Sequence, residues 1–179
     1  MPIIKQLSTR IVYQNRWMTV REDTILRPSG AEGIYGVVEK PDFVVILPIQ
    51  DDSIYLVEQY RYPVKARHLE LPMGSWEDNT DADHEEVARG ELKEETGLIS
   101  HNLQYVGFQY LAYGYSSQGY HIYLAKDLEM GTRDLDAEEE DLITKKFSLA
   151  EFESMICSGT IQDATTLNAY SLAKLKGFL

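Results

Sequence analysis

Hydrophobic and polar positions alternate along the first part of the chain in the manner of strands. Residues 10–13 and 17–27 are rich in β-branched and aromatic types, and the turn-prone pair Gln14-Asn15 separates them. Pro28-Ser29-Gly30 predicts the next turn, and residues 34–39 predict another strand. Residues 43–49 break the alternation with a nearly continuous apolar run, which suits a strand buried on both faces. Asp51-Asp52 then turns the chain into a strand over residues 54–60.

The pattern becomes helical beyond residue 82. Asp83 with Glu86 three residues on is a capping pair, and Gly97 is a C-terminal stop. Strands return at residues 103–111, 119–125 and 142–147, the last after an acidic loop at 134–141. Ser148 with Glu151 caps a helix stopping near Gly159, and Asp163 opens a final one. No repeat, low-complexity tract or linker interrupts this order. Strands mixed with few helices predict an α/β (or α+β) fold in which helices cover a mixed sheet.

The first helix carries the most informative side chains. Glu91, Glu94 and Glu95 stand at i, i+3 and i+4, within an arc of roughly 100°. Val87 and Ala88 fall on that arc and Leu92 lies just beyond it, whereas Glu86, Arg89 and Lys93 project the other way. The carboxylates therefore sit on or beside the inward face. Like charges one turn apart oppose each other by about 0.2–0.5 kcal/mol even when exposed, and by more when partly buried. A divalent cation relieves that repulsion, and oxygen-only ligands favour Mg²⁺ or Mn²⁺ over zinc. The competing reading is a plain solvated acidic face. The inward placement opposes it.

Composition narrows the partners. The chain has 179 residues, 44% of them hydrophobic, enough for one ordinary domain with a real core. With 17 Lys+Arg against 29 Asp+Glu its net charge is −12, which opposes binding to nucleic acid or to an anionic membrane surface. A polyanionic substrate stays open provided a cation bridges the like charges. The single cysteine, Cys157, excludes an internal disulfide framework and a Cys-rich zinc site; it is expected to be a buried small hydrophobe beside the stripe Leu149, Phe152, Ile156. His68, His84, His101 and His121 show no metal-ligand spacing and read as incidental. No run approaches the ~18 apolar residues of a membrane span, and the start has no apolar signal region, so the expected compartment is the cytoplasm.

Gly74 followed by Glu91-Leu92-Lys93-Glu94-Glu95-Thr96-Gly97-Leu98 resembles the Nudix box, whose pattern is G-x5-E-x7-R-E-U-x-E-E-x-G-U, with U a bulky aliphatic. Further segments resemble the ADP-ribose and nucleoside diphosphate sugar pyrophosphatase branch of that family. They are Tyr55-Leu56-Val57-Glu58-Gln59-Tyr60-Arg61-Tyr62-Pro63, Glu70-Leu71-Pro72-Met73-Gly74, Gly159-Thr160-Ile161-Gln162-Asp163, and the stretch from Asn15-Arg16-Trp17 to Gly33-Ile34-Tyr35-Gly36. The resemblance spans nearly the whole chain. It departs from the family in three places. Gly90 stands where the pattern has Arg, which normally steadies the helix, although Arg89 lies one residue earlier. Gly74 precedes Glu91 by 17 positions, two more than the pattern allows. Ala82, between Asp81 and Asp83, stands where the first Glu falls.

The resemblance implies a Nudix-type α/β/α sandwich with a mixed central sheet (residues 41–179), preceded by an N-terminal antiparallel β extension (residues 1–40). It implies Mg²⁺-dependent hydrolysis, with Mn²⁺ as a substitute, of the pyrophosphate bond of ADP-ribose or a related nucleoside diphosphate sugar. The products would be a nucleoside monophosphate and a sugar phosphate. Glu91, Glu94 and Glu95, with the Met73 carbonyl, would hold the metal, Glu94 also counting as catalytic. A glutamate of the acidic loop, Glu138 or Glu140, would act as general base. Arg61 would meet a phosphate or the distal sugar, against a surface salt bridge as the plainer role. Glu70 would bind a ribose hydroxyl or pair with Arg61, and Trp17 would stack on a base or simply pack. Similar enzymes are homodimers whose N-terminal strands cross to the partner and help shape the pocket. The alternatives are a catalytically weak nucleotide-sugar sensor, suggested by Gly90, and a Nudix hydrolase of another nucleoside diphosphate derivative.

Overall fold

The structure, a computed structural model, describes residues 3–76, 79, 81–133, 135 and 140–179. The chain divides into two compact units, Met1–Asp42 with Tyr110–Tyr120, and Phe43–Gln109 with His121–Leu179.

The first unit is built on an antiparallel meander of β1 (Lys5–Gln14), β2 (Thr19–Leu26) and β3 (Glu32–Glu39). Its turns follow local chemistry. Asn15 Oδ1 accepts from the backbone N–H of Trp17 and of Met18 (2.9 Å each), an Asx turn between β1 and β2. Gly30, at φ 84°, takes the left-handed conformation of the next turn, which a side chain would resist. The distant segment 110–120 joins β3: Tyr115 O accepts from Val38 N (2.8 Å), and Ser116 Oγ donates to Val38 O (2.8 Å).

The second unit contains a sheet in the order β10-β5-β4-β9-β8. These strands are β4 (Phe43–Gln50), β5 (Ser53–Arg61), β8 (Leu98–Tyr110), β9 (Gly119–Met130) and β10 (Ile143–Ser148). Two short strands attach to it: β6 (Ala66–Glu70) pairs with β5, and β7 (Met73–Gly74) pairs with the start of β4. β4 is antiparallel to β5. Asp42 Oδ1 takes the Gly119 N–H (2.7 Å) at the start of β4, and Gln50 Oε1 takes the Leu128 N–H (2.5 Å) at its end, so β4 and β9 run the same way and the sheet is mixed. Positions 44–49 of β4 are buried throughout, as their apolar run predicts. Helix α1 (His84–Thr96) packs Val87, Ala88 and Leu92 against Val44, Ile46, Leu98, Tyr123 and Ala125. Helix α3 (Ala164–Leu175) also meets β4, and α2 (Leu149–Cys157) is fastened to α3 by the edge-to-face pair Phe152–Tyr170, centroids 4.9 Å apart. Among the described residues, no helix is long and apolar enough to cross a membrane.

Two strands, β6 and β7, are not predicted by the residue pattern. β6 carries Arg67, His68 and Glu70, types with no strand preference, and it forms because β5 offers it a partner. β7 spans two residues, too few for any periodicity. Cys157 also departs from expectation, since it is exposed. It follows the buried Phe152 by five positions, about 140° around the helix, which carries it off the inward stripe.

Candidate functional site

The site is assembled where the loop after β6 meets α1. Asp83 caps α1, its carboxylate accepting from Glu85 N (2.8 Å), and Gly97 at φ 74° ends it with its N–H on Lys93 O (2.8 Å). The rotation of this helix is as its pattern predicts. Glu91 is 6% exposed, Glu95 is fully buried and Glu94 is half-buried, whereas Glu86, Arg89 and Lys93 face solvent. Arg89 serves the outer face, pairing with Glu85 (2.7 Å) and donating to Ser100 O of β8 (2.8 Å). Ala82, in place of the first Glu of the pattern, packs against the core.

Strand β7 receives the inward carboxylates. Met73 N donates to Glu95 Oε2 (3.1 Å). The Glu91 carboxylate lies directly on Gly74: a Cβ there would fall 2.6 Å from Glu91 Cδ and 2.8 Å from Oε1. Only glycine admits that approach. Thr166 Oγ1 of α3 takes the Leu71 N–H (2.9 Å) and so anchors the same loop from the other side.

Next to Met73 opens a cleft of about 690 Å³, lined by Arg61, His68, Glu70, Met73, Gln162 and Asp163 among others. Arg61 of β5, opposite Ala66, reaches Glu70 four residues further along β6 in a two-pronged pair: Nε donates to Oε1 (2.9 Å) and Nη2 to Oε2 (2.5 Å). Glu70 is 4% exposed, while the Arg61 side chain keeps 40% of its surface open. Burial works against the Arg61 cation, but the Glu70 carboxylate outweighs it, with the fields of Glu95 and Asp163 adding, so the guanidinium pKa is raised. That coupling ties the cleft electrostatically to α1. Asp163 is itself held as the N-cap of α3, accepting from Thr166 N (2.7 Å).

The spacing of His68 predicts no role, yet it lines the cleft. It precedes Glu70 by two residues on β6, so both point to the same face. The missing signal was the strand itself. The other histidines lie elsewhere: His84 stacks on His121 (3.6 Å between centroids), and His101 meets Glu129 (3.0 Å). Of the two base candidates, Glu138 lies outside the described residues, and Glu140 is exposed. The neighbouring Asp141 is bound by Arg67 through its carboxylate (2.5 Å) and its carbonyl (2.8 Å). Trp17 belongs to the N-terminal unit, and the Arg16 guanidinium lies 5.0 Å from the centre of its ring.

The donor set suits a hard cation. Glu91 and Glu95 are buried carboxylates one turn apart on a helix packed against β4, with the 73–74 strand beside them. Among the described residues, no three acidic, histidine or cysteine side chains come together as a metal-holding group, so the structure does not gather Glu91, Glu94 and Glu95 into one cluster. Mg²⁺ needs no such group, since it is commonly held by one or two carboxylates with water and phosphate oxygens completing its shell.

Residues 4–38 match the family model of the nucleoside diphosphate sugar hydrolase N-terminal domain, and residues 39–164 match that of the NUDIX domain. The chain belongs to the Nudix family. This Nudix chain is 25% identical over 175 residues to an ADP-ribose pyrophosphatase of Bacillus subtilis, covering 96% of the chain and 93% of that protein. It is 29% identical over 163 residues to an ADP-ribose pyrophosphatase of Mycobacterium tuberculosis, covering 90% and 78%. A crystal structure of an ADP compounds hydrolase shares the fold with a TM-score of 0.86 at 23% identity, covering 100% of this chain and 98% of that one. The Nudix fold, with its mixed sheet and antiparallel N-terminal sheet, is therefore the fold of this chain. The chain lies in the ADP-ribose pyrophosphatase branch and is an enzyme, a pyrophosphohydrolase.

Proposed function

We propose that this Nudix enzyme hydrolyses the pyrophosphate bond of ADP-ribose or a closely related nucleoside diphosphate sugar with the help of Mg²⁺. ADP-ribose would yield AMP and ribose 5-phosphate. The observation that carries the reading is the burial of Glu91 and Glu95 against β7, beside a cleft that contains the Arg61–Glu70 pair. The similarity to two ADP-ribose pyrophosphatases, and to the nucleoside diphosphate sugar hydrolase N-terminal domain, supports the substrate class.

Glu91, Glu94, Glu95 and the Met73 carbonyl would hold the cation. When bound, it supplies Lewis acidity, acidifies water and neutralises charge developing on the phosphates. The protein's own part is positional. Glu70 takes Nε and Nη2 of Arg61, which leaves Nη1 to donate to a phosphate oxygen from a fixed direction. Glu70 thereby serves as the partner of Arg61, the second of the roles foreseen for it. Glu138 or Glu140 would accept the proton of the attacking water, and Trp17 would stack on the base. The enzyme would act as a homodimer in the cytoplasm, joined through the apolar residues that β1 leaves exposed.

The deciding experiment incubates the purified chain with Mg²⁺ and, separately, ADP-ribose, GDP-mannose, UDP-glucose, NADH and diadenosine polyphosphates. Release of AMP from ADP-ribose ahead of the others is expected. Failure of every substrate to yield a monophosphate would end the proposal. Calorimetric binding of a nucleotide sugar without turnover would turn it into the sensor reading.

A further inference from the structure

Gly90 is the one residue of α1 that breaks both helix propensity and the family pattern, and its neighbourhood accounts for it. The ring of Trp76 lies over Gly90 so closely that a Cβ there would overlap Trp76 Cζ2 and fall 3.2 Å from Cε2. Trp76 is half-buried against the same core that receives Val87 and Leu92. It stands two residues after Gly74, in the loop that is two residues longer than the pattern. Trp76 O accepts from Asn79 N (3.1 Å), and Asn79 O accepts from Ala82 N (3.2 Å), next to the cap Asp83. Arg89 does not fill this place, because it points outward to Glu85 and β8.

The segment 73–76 therefore touches α1 at three points. Met73 N holds Glu95, Gly74 seats the Glu91 carboxylate, and the Trp76 ring enters the notch at Gly90. The first two act on flexible side chains. The third acts on the helix backbone, and Glu94 stands one turn beyond Gly90 on the same side. A ring lodged against bare backbone resists both rotation of the helix and sliding along its axis.

We propose that Trp76 and Gly90 form a positioning pair, in which the ring and the notch set the rotation and height of α1 so that Glu91, Glu94 and Glu95 present their oxygens to one cation. The pair acts through the glutamates and touches neither metal nor substrate. It rests on the metal reading above.

The test measures Mn²⁺ binding to the full chain by calorimetry, with thermal unfolding, kcat and KM followed in parallel. Trp76→Ala should weaken Mn²⁺ binding about tenfold or more, the scale of lost support around a metal ligand, while Trp76→Phe retains most of it. Gly90→Ala should weaken Mn²⁺ binding in the wild-type background and have no further effect in the Trp76→Ala background, where the notch is already empty. That dependence on background separates positioning from helix propensity, by which Ala is the better residue in either case. Wild-type Mn²⁺ affinity in folded Trp76→Ala, or an equal effect of Gly90→Ala in both backgrounds, overturns the proposal. If Trp76→Ala does not fold, wild-type affinity in Gly90→Ala overturns it alone. A wild-type chain that takes up no Mn²⁺, or a Glu95→Gln variant that binds it undiminished, overturns the metal reading and the pair together.

Discussion

Strands β1 and β4 are both rich in apolar and β-branched residues, yet their fates are opposite. Every position of β1 is exposed, with Ile11 at 62% and Tyr13 at 55%, whereas Val45, Ile46 and Leu47 of β4 are wholly buried. Strand propensity does not separate the two, although the unbroken apolar run of β4 already marks it for burial. β4 has hydrogen-bonded neighbours on both sides and helices packed against it, while β1 is the edge of a three-stranded sheet. An apolar strand of the first kind stabilises its own chain. One of the second kind offers its side chains to something outside, and the proposed homodimer uses them.

The largest effect expected from this contrast is on stability. Ile46→Ala should destabilise the fold by about 2–5 kcal/mol, whereas Ile11→Ala should change monomer stability by about 0.5 kcal/mol or less. Denaturant unfolding of the two variants checks it, and equal losses would erase the contrast.

A second test sharpens the contrast inside the buried unit, where not every buried residue serves the core. Glu95→Gln keeps the shape of a fully buried side chain but removes its charge. It should lower kcat by about 100-fold or more, equivalent to about 2.7 kcal/mol, with thermal stability retained. Turnover at the wild-type level would remove Glu95 from the metal set.

A third concerns the exposed strand. Ile11→Ser with Tyr13→Ser should shift the chain toward monomer in sedimentation velocity at micromolar concentration, while the far-UV circular dichroism stays the same. A wild-type chain that sediments as a monomer would leave the apolar face of β1 without its proposed partner.

The smallest effect is on pH dependence. Lys145 and then Arg67 hold the Glu58 carboxyl below its ordinary value of 4.5. A group lowered in the folded state adds stability that is complete above its unfolded pKa and is lost as pH falls through the folded one. Wild type should therefore exceed Glu58→Gln by at most about 1 kcal/mol at pH 7, since the partners are partly exposed. The gap should begin to close below pH 4.5 and vanish on further acidification. A gap that widens in acid would refute the sign.

Much of the fold is legible in the one-dimensional pattern. The buried run of β4, the caps Asp83, Ser148 and Asp163, and the stop at Gly97 each rest on chemistry within a few residues. The inward turn of Glu91 and Glu95 follows from helix geometry alone, because 100° per residue sets which side chains share a face with Val87 and Ala88. The caps and the set of side chains that share a helix face follow from these segments alone.

Other features depend on segments that meet only when the chain folds. β6 owes its existence to β5, and with it come the Arg61–Glu70 pair and the place of His68 in the cleft. Gly90 reads as a defect until Trp76, fourteen positions earlier, is seen to occupy the missing volume. Cys157 is exposed because a five-residue step carries it off the stripe, and β1 is exposed because nothing within the three-stranded sheet covers it. Spacing along the chain dictates local geometry, where each residue's neighbours are known in advance. Burial, pairing and close approach are set by neighbours brought together from a distance, which only the packed molecule specifies.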